Sequence, residues 1–112
     1  MSRLPDYEEA VLEVVDAIPE GCVLTYGDVA EMVGFMGPRR VGRVMSQYGA
    51  ATTWWRVVRA GGHPPAGLED EALAHWRAEA TPLVGGPFGG GRVDMRRARW
   101  DGTAGGGAVG GV

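Results

Sequence analysis

The chain has 112 residues and a net charge of −3 at pH 7, with 45% hydrophobic and 22% charged residues. A chain of this size and composition forms one globular domain and has no room for a second core. Its one cysteine, Cys22, excludes an internal disulfide and a cysteine-rich zinc cluster, and no apolar run is long enough to span a membrane. We expect a cytoplasmic monomer without membrane association, cofactor or metal.

The charged residues are distributed unevenly. Residues 1–31 contain eight acids and one arginine, whereas residues 37–59 contain five arginines and no acid. Residues 92–99 add four more arginines, and the chain has no lysine. Because a guanidinium binds phosphate with two donors and stacks on planar groups, this pattern indicates a local surface for an anionic polymer that the net charge conceals.

The first half of the chain contains three predicted helices. Apolar residues at helical spacing predict a first helix over residues 6–18, and Pro19 ends it. Thr25 and Asp28 have the spacing of a capping box, which predicts a second helix over about residues 26–33. Gly34 follows this helix directly and is expected to end it.

The third helix begins at Pro38, since proline is favoured at a first helical position. Its core-facing stripe consists of Val41, Val44, Met45 and Tyr48. The basic residues left on its open side are Arg39, Arg40 and Arg43. Two short helices joined by a tight turn, the second with a basic face, are typical of a helix-turn-helix.

The second half of the chain is less regular. Residues 54–58 are either a strand or a buried loop, and a fourth helix is predicted over about residues 70–80. Residues 83–84 and 92–95 are predicted to pair as a hairpin around a glycine-rich loop. The predicted fold is therefore mainly α, a winged helix-turn-helix with a small β-hairpin wing. This single domain covers residues 1–101, and residues 102–112 form a flexible glycine-rich tail.

Four segments carry a resemblance to a known family. They are VLTYGDVA (23–30), GPRRVGRVM (37–45), TWWRVV (53–58) and RVDMRRARWDG (92–102). In order and spacing, the first three resemble the DNA-binding domain of O6-alkylguanine-DNA alkyltransferases. The fourth resembles the C-terminal segment of short family members. The resemblance covers roughly residues 5–102 and implies a recognition helix that lies in the minor groove.

The chain departs from this family at the active site. The repair enzymes have Pro-Cys-His-Arg where this chain has Thr53, Trp54, Trp55 and Arg56. An indole cannot attack an alkyl carbon, because that reaction needs a thiolate. The pattern is similar to that of the alkyltransferase-like proteins, which bind alkylated guanine without repairing it and pass the lesion to nucleotide excision repair.

The resemblance implies roles for individual residues. Tyr26 would press on the phosphate 3′ to the target, and Arg39 would fill the gap that an extruded nucleotide leaves. We assign DNA binding to Tyr26, Arg39, Arg40 and Arg43, and the lesion pocket to Tyr26, Trp54, Val58 and Arg59. Packing alone remains an alternative for Tyr26 and the tryptophans, as does a simple phosphate contact for Arg39. The loop from Gly61 to Leu68 would contact the substrate, although it has no arginine.

We therefore expect a non-enzymatic sensor of DNA damage with no catalytic residue. Its partners would be double-stranded DNA containing O6-alkylguanine and the proteins of nucleotide excision repair. Two alternatives remain: a helix-turn-helix transcription regulator, and a residual alkyltransferase that acts through Cys22. The apolar neighbours of Cys22 favour an inert, buried thiol.

Overall fold

A computed structural model describes residues 6–103 of the chain. Its helices are α1 (Asp6–Ala17), α2 (Tyr26–Val33), α3 (Pro38–Tyr48), α4 (Glu69–Ala78) and α5 (Met95–Ala98). Its strands are β1 (Leu24–Thr25) and β2 (Val57–Val58), and short 3₁₀ turns cover Gly49–Ala51, Trp54–Arg56 and Ala60–Gly62. None of the helices in this described part is long and apolar enough to cross a membrane.

Helices α1, α2 and α3 pack around the first of two hydrophobic clusters. The predicted inner face of α1 is confirmed, since Val11 and Val15 are fully buried and Tyr7 is nearly so. The acids of α1 at Glu9 and Glu13 are exposed on the other side. The amphipathic pattern of α1 thus binds it to the two following helices.

Helices α2 and α3 confirm the predicted helix-turn-helix. The Asp28 backbone N–H donates to the Thr25 hydroxyl at 2.9 Å, and the Thr25 N–H donates to the Asp28 carboxylate at 3.0 Å. Gly34 ends α2 with a left-handed backbone (φ 98°), which glycine adopts without a steric penalty. Three further residues complete the turn before Pro38 begins α3.

A short parallel sheet joins the two halves of the chain. Leu24 of β1 lies opposite Val57 of β2, and Thr25 lies opposite Val58. On the other side of β1, Val23 exchanges backbone hydrogen bonds of 2.9 Å with Ala98 and Trp100. The start of the helix-turn-helix is therefore fixed to both the central and the C-terminal segments.

The predicted wing forms only in part. Leu83 and Val93 pair in one antiparallel bridge, and the Val84 N–H donates to the Arg92 carbonyl at 3.0 Å. The Asp94 N–H also donates to the Pro82 carbonyl at 2.9 Å. The pairing ends at Asp94, because its carboxylate accepts from the Arg96 N–H and Met95 begins α5, a helix absent from the sequence prediction. The side chain of Val93 is fully buried in the second hydrophobic cluster.

Hydrogen bonds order the segment that follows α5, as far as Thr103. The Trp100 indole N–H donates to the Thr103 carbonyl at 2.9 Å, and the Asp101 carboxylate accepts from the Thr103 hydroxyl. These contacts keep the chain attached to the domain as far as residue 103. The rest of the predicted flexible tail, residues 104–112, lies outside the described residues.

Candidate nucleic-acid interface

Helix α3 presents a basic face to solvent. Val41 and Val44 are buried against the core, and this anchors the helix with its opposite side outward. Arg39, Arg40 and Arg43 are all exposed on that side, as the sequence predicts. The guanidinium of Arg40 also lies 5.5 Å from the centre of the Tyr7 ring on α1.

One cleft, the Arg39 cleft, lies beside the first half of α3. It has a volume of about 500 Å³, and its lining residues are Thr25, Tyr26, Gly27, Pro38, Arg39, Gly42, Arg59 and Ala60. No acid in the described part of the chain lines it. A Cβ atom added at Gly42 would meet nothing within 4 Å, so α3 is open to a close approach by another molecule there.

A second cleft, the Trp54 cleft, lies beside the end of α3. It has a volume of about 490 Å³, and its lining residues are Tyr26, Met45, Ser46, Gly49, Ala50, Trp54, Pro65, Leu68, Glu71 and His75. Met45 and Ser46 come from α3, whereas Glu71 and His75 come from α4. The cleft is of the size that accepts a small organic ligand.

Tyr26 is the one residue that lines both of these clefts within the described structure. It occupies the first position of α2, so the capping box at Thr25 fixes its backbone. Burial raises the pKa of the Tyr26 phenol above its usual value, and the positive charge of Arg59 acts in the opposite direction. Tyr26 therefore stays neutral and available as a hydrogen-bond donor between the clefts.

Trp54 and Trp55 lie in different environments. The Trp54 ring is half-buried and open to its cleft, with edge contacts to Trp55 and His75 at centroid distances of 5.7 Å. Trp55 stacks on His75 at 3.6 Å, with only 4° between the ring planes. The Trp55 indole N–H donates to the Glu79 carboxylate at 2.8 Å. Trp54 thus offers a surface to a ligand, whereas Trp55 holds structure together.

The Glu79 anchor, made of Trp55, Arg56 and Glu79, fixes the segment behind Trp54. The Arg56 guanidinium binds the Glu79 carboxylate through two nitrogens, at 3.0 and 2.6 Å, and also donates to the Ile18 carbonyl. Burial raises the pKa of Glu79, but hydrogen bonds from Arg56, Trp55 and Gly21 and the charge of Arg56 outweigh it and hold that pKa below its usual value. Arg56 therefore has a structural role here.

Two residues assigned to the lesion pocket lie outside the Trp54 cleft. Val58 is fully buried in the second hydrophobic cluster, because its position in β2 points the side chain into the core. Arg59 lines the Arg39 cleft instead, and its Nε atom donates to the Pro64 carbonyl at 2.7 Å. The structure thus brings Tyr26 and Trp54 together at the Trp54 cleft. It keeps Val58 in the core and places Arg59 beside Tyr26 at the Arg39 cleft.

The loop from Gly61 to Leu68 forms one wall of the Trp54 cleft through Pro65 and Leu68. It is fixed to the body at Gly62, whose carbonyl accepts from the Val93 N–H at 2.9 Å. A Cβ atom on Gly62 would overlap the Val93 carbonyl, so this approach requires glycine. The predicted substrate loop is thus positioned against the same cleft as Trp54.

Residues of α4 complete the cleft in a way that the sequence analysis did not predict. His75 and Glu71 lie one helical turn apart and both face Trp54. Their spacing of four residues on a predicted helix indicates that they share one face of α4. Nothing in the sequence, however, shows that this face lies against Trp54. Within residues 6–103, no three side chains of His, Cys, Asp or Glu converge as metal ligands would.

The only cysteine of the chain lies away from these clefts. Cys22 packs against the first hydrophobic cluster and lines neither the Arg39 cleft nor the Trp54 cleft. Burial, and then the negative charge of Asp101, raise the pKa of its thiol, while Arg56 acts in the opposite direction. A thiol that stays protonated is a poor nucleophile.

The basic helix and its two clefts define this chain as a helix-turn-helix domain of the kind that binds DNA. Residues 6–80 match the family described as "6-O-methylguanine DNA methyltransferase, DNA binding domain". This match extends over more than half of the chain. The chain belongs to this family, and the resemblance found in the sequence is confirmed.

Curated relatives are similar over most of their length. A DNA base-flipping protein of Escherichia coli (strain K12) is 34% identical over 104 residues, which are 90% of this chain and 79% of the relative. A DNA base-flipping protein of Vibrio parahaemolyticus is 28% identical over 93 residues, which are 80% of this chain and 91% of the relative.

Solved structures share the fold. S. pombe ATL, solved in complex with DNA, is 25% identical and has a TM-score of 0.71, and the match covers 88% of this chain and 98% of that one. S. pombe Atl1, solved with damaged DNA containing O6-carboxymethylguanine, is 24% identical, with a TM-score of 0.69 and the same coverage. The predicted fold class is therefore confirmed.

Proposed function

We propose that this protein is a non-enzymatic sensor of alkylated DNA, which binds the duplex through α3 and holds an extruded O6-alkylguanine in the Trp54 cleft. One observation carries the proposal. Trp54, which the sequence resemblance aligns with the cysteine of the repair enzymes, lines a cleft beside the basic helix, while Cys22 lies elsewhere. The base-flipping relatives and the DNA-bound structural match support the same function.

Binding of the duplex depends on the arginines of α3. Arg39, Arg40 and Arg43 are exposed on one face, and α3 contains no acid. Each guanidinium that replaces a condensed counterion on a phosphate makes binding stronger at low salt. These contacts position the protein on DNA without reading sequence.

Extrusion of a nucleotide depends on Tyr26 and Arg39. Both line the Arg39 cleft, and Tyr26 also lines the Trp54 cleft. A nucleotide displaced past Tyr26 would therefore pass from the duplex side of α3 into the Trp54 cleft. Flipping costs a few kcal/mol, and least for a weakly paired lesion. The guanidinium of Arg39 can offset part of this cost, because its plane stacks on bases and its donors reach the unpaired partner base.

The walls of the Trp54 cleft provide stacking and apolar contacts for an alkylated guanine. Trp54 supplies an aromatic wall, and stacking of a base on such a ring contributes about 1–3 kcal/mol. Met45, Pro65 and Leu68 provide apolar surface, where an alkyl group gains about 0.8 kcal/mol per CH₂. His75 adds a polar ring beside the base. The substrate loop has no arginine, so we assign discrimination of the lesion to these walls.

No alkyl transfer follows, because the groups near the bound base cannot accept an alkyl group as a thiolate would. Burial holds the pKa of Cys22 above its usual value, and this thiol lines neither cleft beside α3. The complex therefore persists until another protein acts on it. We propose that proteins of nucleotide excision repair receive the lesion from this complex.

The experiment that tests this function combines a titration with an intact mass measurement. Two duplexes identical except for one O6-methylguanine are titrated with the protein at fixed salt, and each mixture is then analysed by mass spectrometry. We expect tighter binding of the damaged duplex and no increase in protein mass. Equal affinities would contradict damage sensing, whereas a mass increase of one methyl group would contradict the non-enzymatic mechanism. Selection of a consensus sequence, independent of damage, would indicate a transcription regulator.

A further inference from the structure

A third cleft lies on a part of the molecule that the proposed function does not use. The glycine-loop cleft has a volume of about 500 Å³ and is formed by the end of α4, the segment after it, the loop around residues 85–91 and α5. Its lining residues include Arg77, Pro82, Leu83, Pro87, Phe88 and Arg97. Most of its lining residues follow residue 80, where the family match ends.

The loop over this cleft exposes an aromatic side chain to solvent. Phe88 is 89% exposed, although the loop that carries it is ordered by backbone hydrogen bonds. The Gly89 N–H donates to the Gly86 carbonyl at 2.8 Å, and the Gly90 N–H donates to the Val84 carbonyl at 3.2 Å. A Cβ atom on Gly89 would overlap the Val84 carbonyl, so glycine is required for this compact loop. The loop therefore presents Phe88 on a fixed support.

Two arginines give the cleft its charge. Arg77 and Arg97 both line it, and no acid in the described part of the chain does so. The Nε atom of Arg77 donates to the Pro87 carbonyl at 3.0 Å, and its guanidinium lies 5.8 Å from the centre of the Phe88 ring. This arrangement holds the Arg77 side chain in place and leaves its terminal nitrogens available to a carboxylate.

The cleft lies away from the proposed DNA surface. On α4, Glu71 and His75 face the Trp54 cleft. Arg77 is two residues beyond His75, or about 200° around the helix axis, and so faces the other side of α4. A molecule bound in the glycine-loop cleft would therefore not compete with a base in the Trp54 cleft.

We propose that the glycine-loop cleft is a docking site for an acidic segment of a partner protein that carries an aromatic or aliphatic side chain. Phe88 and the walls of Pro82 and Leu83 would bury the apolar side chain, and Arg77 and Arg97 would bind the carboxylates. Aromatic residues and arginine are the types enriched in protein–protein interfaces. A concave, mostly apolar cleft with two arginines suits a peptide better than the phosphate backbone of a duplex.

The test uses the full-length chain and a defined peptide probe. The probe is a fluorescein-labelled peptide of eight residues with four acids and one central Phe, and its control has Gln and Asn in place of the acids. We expect saturable binding of the acidic peptide, at least tenfold tighter than that of the control. In ¹⁵N–¹H spectra, we expect the shift changes to be confined to residues 77–97.

Two variants locate the binding. Arg77→Gln/Arg97→Gln and Phe88→Ala should each weaken peptide binding at least tenfold, and since the three side chains are exposed, both should keep the wild-type Tm. The matched control, Arg43→Gln/Arg96→Gln, removes the same charge from residues that do not line the cleft. It should change the affinity by less than twofold.

Several results would overturn the proposal. They are an absence of saturable binding at millimolar peptide, equal weakening by the control variant, and shift changes centred on α3. If Arg77→Gln/Arg97→Gln lowers the affinity for undamaged duplex as much as the control variant does, the glycine-loop cleft is a DNA contact instead. A wild-type dimer in sedimentation velocity that Phe88→Ala converts to monomer would identify a second copy of this chain as the occupant.

Discussion

The open surface beside α3, formed by the Trp54 cleft and the Arg39 cleft, and the Glu79 anchor contain the same kinds of side chain and use them in opposite ways. Trp54 and Arg39 are open to clefts, whereas Trp55 and Arg56 bind the Glu79 carboxylate. Only one peptide bond separates the open tryptophan from the fixed one. Residue type alone therefore does not distinguish binding from structure, but the hydrogen-bond partners of each side chain do.

The two regions also depend on each other. The Glu79 anchor joins the segment of Trp55 and Arg56 to α4, to the Ile18 carbonyl after α1 and to the Gly21 N–H. This rigid support fixes the backbone that carries Trp54. The indole is therefore already ordered when a ligand binds, and binding does not carry the entropic cost of ordering it. Variants of the anchor should thus change stability, and variants of the open surface should change binding.

The largest effect is expected from Glu79→Ala. The Arg56 and Glu79 side chains are only 15% and 10% exposed, so this variant leaves a largely buried guanidinium without its carboxylate. We expect the free energy of unfolding to fall by about 3–5 kcal/mol, measured by urea denaturation. The control Glu13→Ala removes an exposed acid and should stay within about 0.5 kcal/mol. A loss below about 1 kcal/mol for Glu79→Ala would contradict the anchor.

On the open side, Arg39→Ala tests extrusion of the nucleotide. Because its guanidinium would replace a base in the stack, we expect the binding free energy for a damaged duplex to weaken by about 1–3 kcal/mol. This corresponds to a dissociation constant about 5- to 150-fold higher. Urea denaturation should show unchanged stability. Fluorescence of a 2-aminopurine at the target position reports unstacking, and it should rise with the wild type but little with Arg39→Ala.

Arg43→Ala is the matched control for Arg39. A residue that contacts only phosphate should weaken damaged and undamaged duplexes alike and reduce the salt slope of binding by about 1. It should leave the 2-aminopurine signal at saturation unchanged. If Arg39→Ala behaves in the same way as Arg43→Ala, Arg39 is a phosphate contact only.

A smaller effect is expected from Gly42→Ala, which should raise the stability of the protein and weaken its binding to DNA. Alanine is favoured over glycine in a helix interior by up to about 1 kcal/mol, and the added methyl group meets nothing in the free protein. The Tm should therefore rise. If α3 lies directly against the duplex, the methyl group should also weaken binding of undamaged DNA, measured by titration. Unchanged affinity would place this part of α3 away from DNA.

The smallest effect concerns pH. The pKa of Glu79 is lower in the folded protein than its usual value of 4.5. Its contribution to stability is therefore fully present above the unfolded-state pKa and is lost as pH falls through the folded-state pKa. The stability difference between wild type and Glu79→Gln should shrink as pH falls below the usual glutamate pKa of 4.5. A difference that stays constant over this range would contradict the assigned ionisation.

Local chemistry made much of the fold predictable. The capping box of Thr25 and Asp28, the glycine at the end of α2 and the proline at the start of α3 act within a few residues, so the helix-turn-helix follows from the sequence. The outward direction of Arg39 follows in the same way, from the burial of the apolar stripe of α3. These features need no knowledge of distant segments.

Features that depend on distant partners could not be predicted. The carboxylate of Glu79 lies 23 residues after Arg56, and neither residue identifies the other in the sequence. The same is true of His75, which reaches Trp55 only because α4 packs there. The family resemblance assigns Val58 to the pocket together with Arg59 and the substrate loop, but its pairing in β2 turns its side chain into the core.

The central claim is that Trp54, and not its neighbour, receives the alkylated base. The most direct measurement is the ratio of dissociation constants for undamaged and O6-methylguanine duplexes, in wild type, Trp54→Ala and Trp55→Phe. We predict that Trp54→Ala brings this ratio close to one while keeping affinity for undamaged DNA, and that Trp55→Phe largely retains the wild-type ratio despite lower stability. A wild-type ratio preserved in Trp54→Ala would contradict the account.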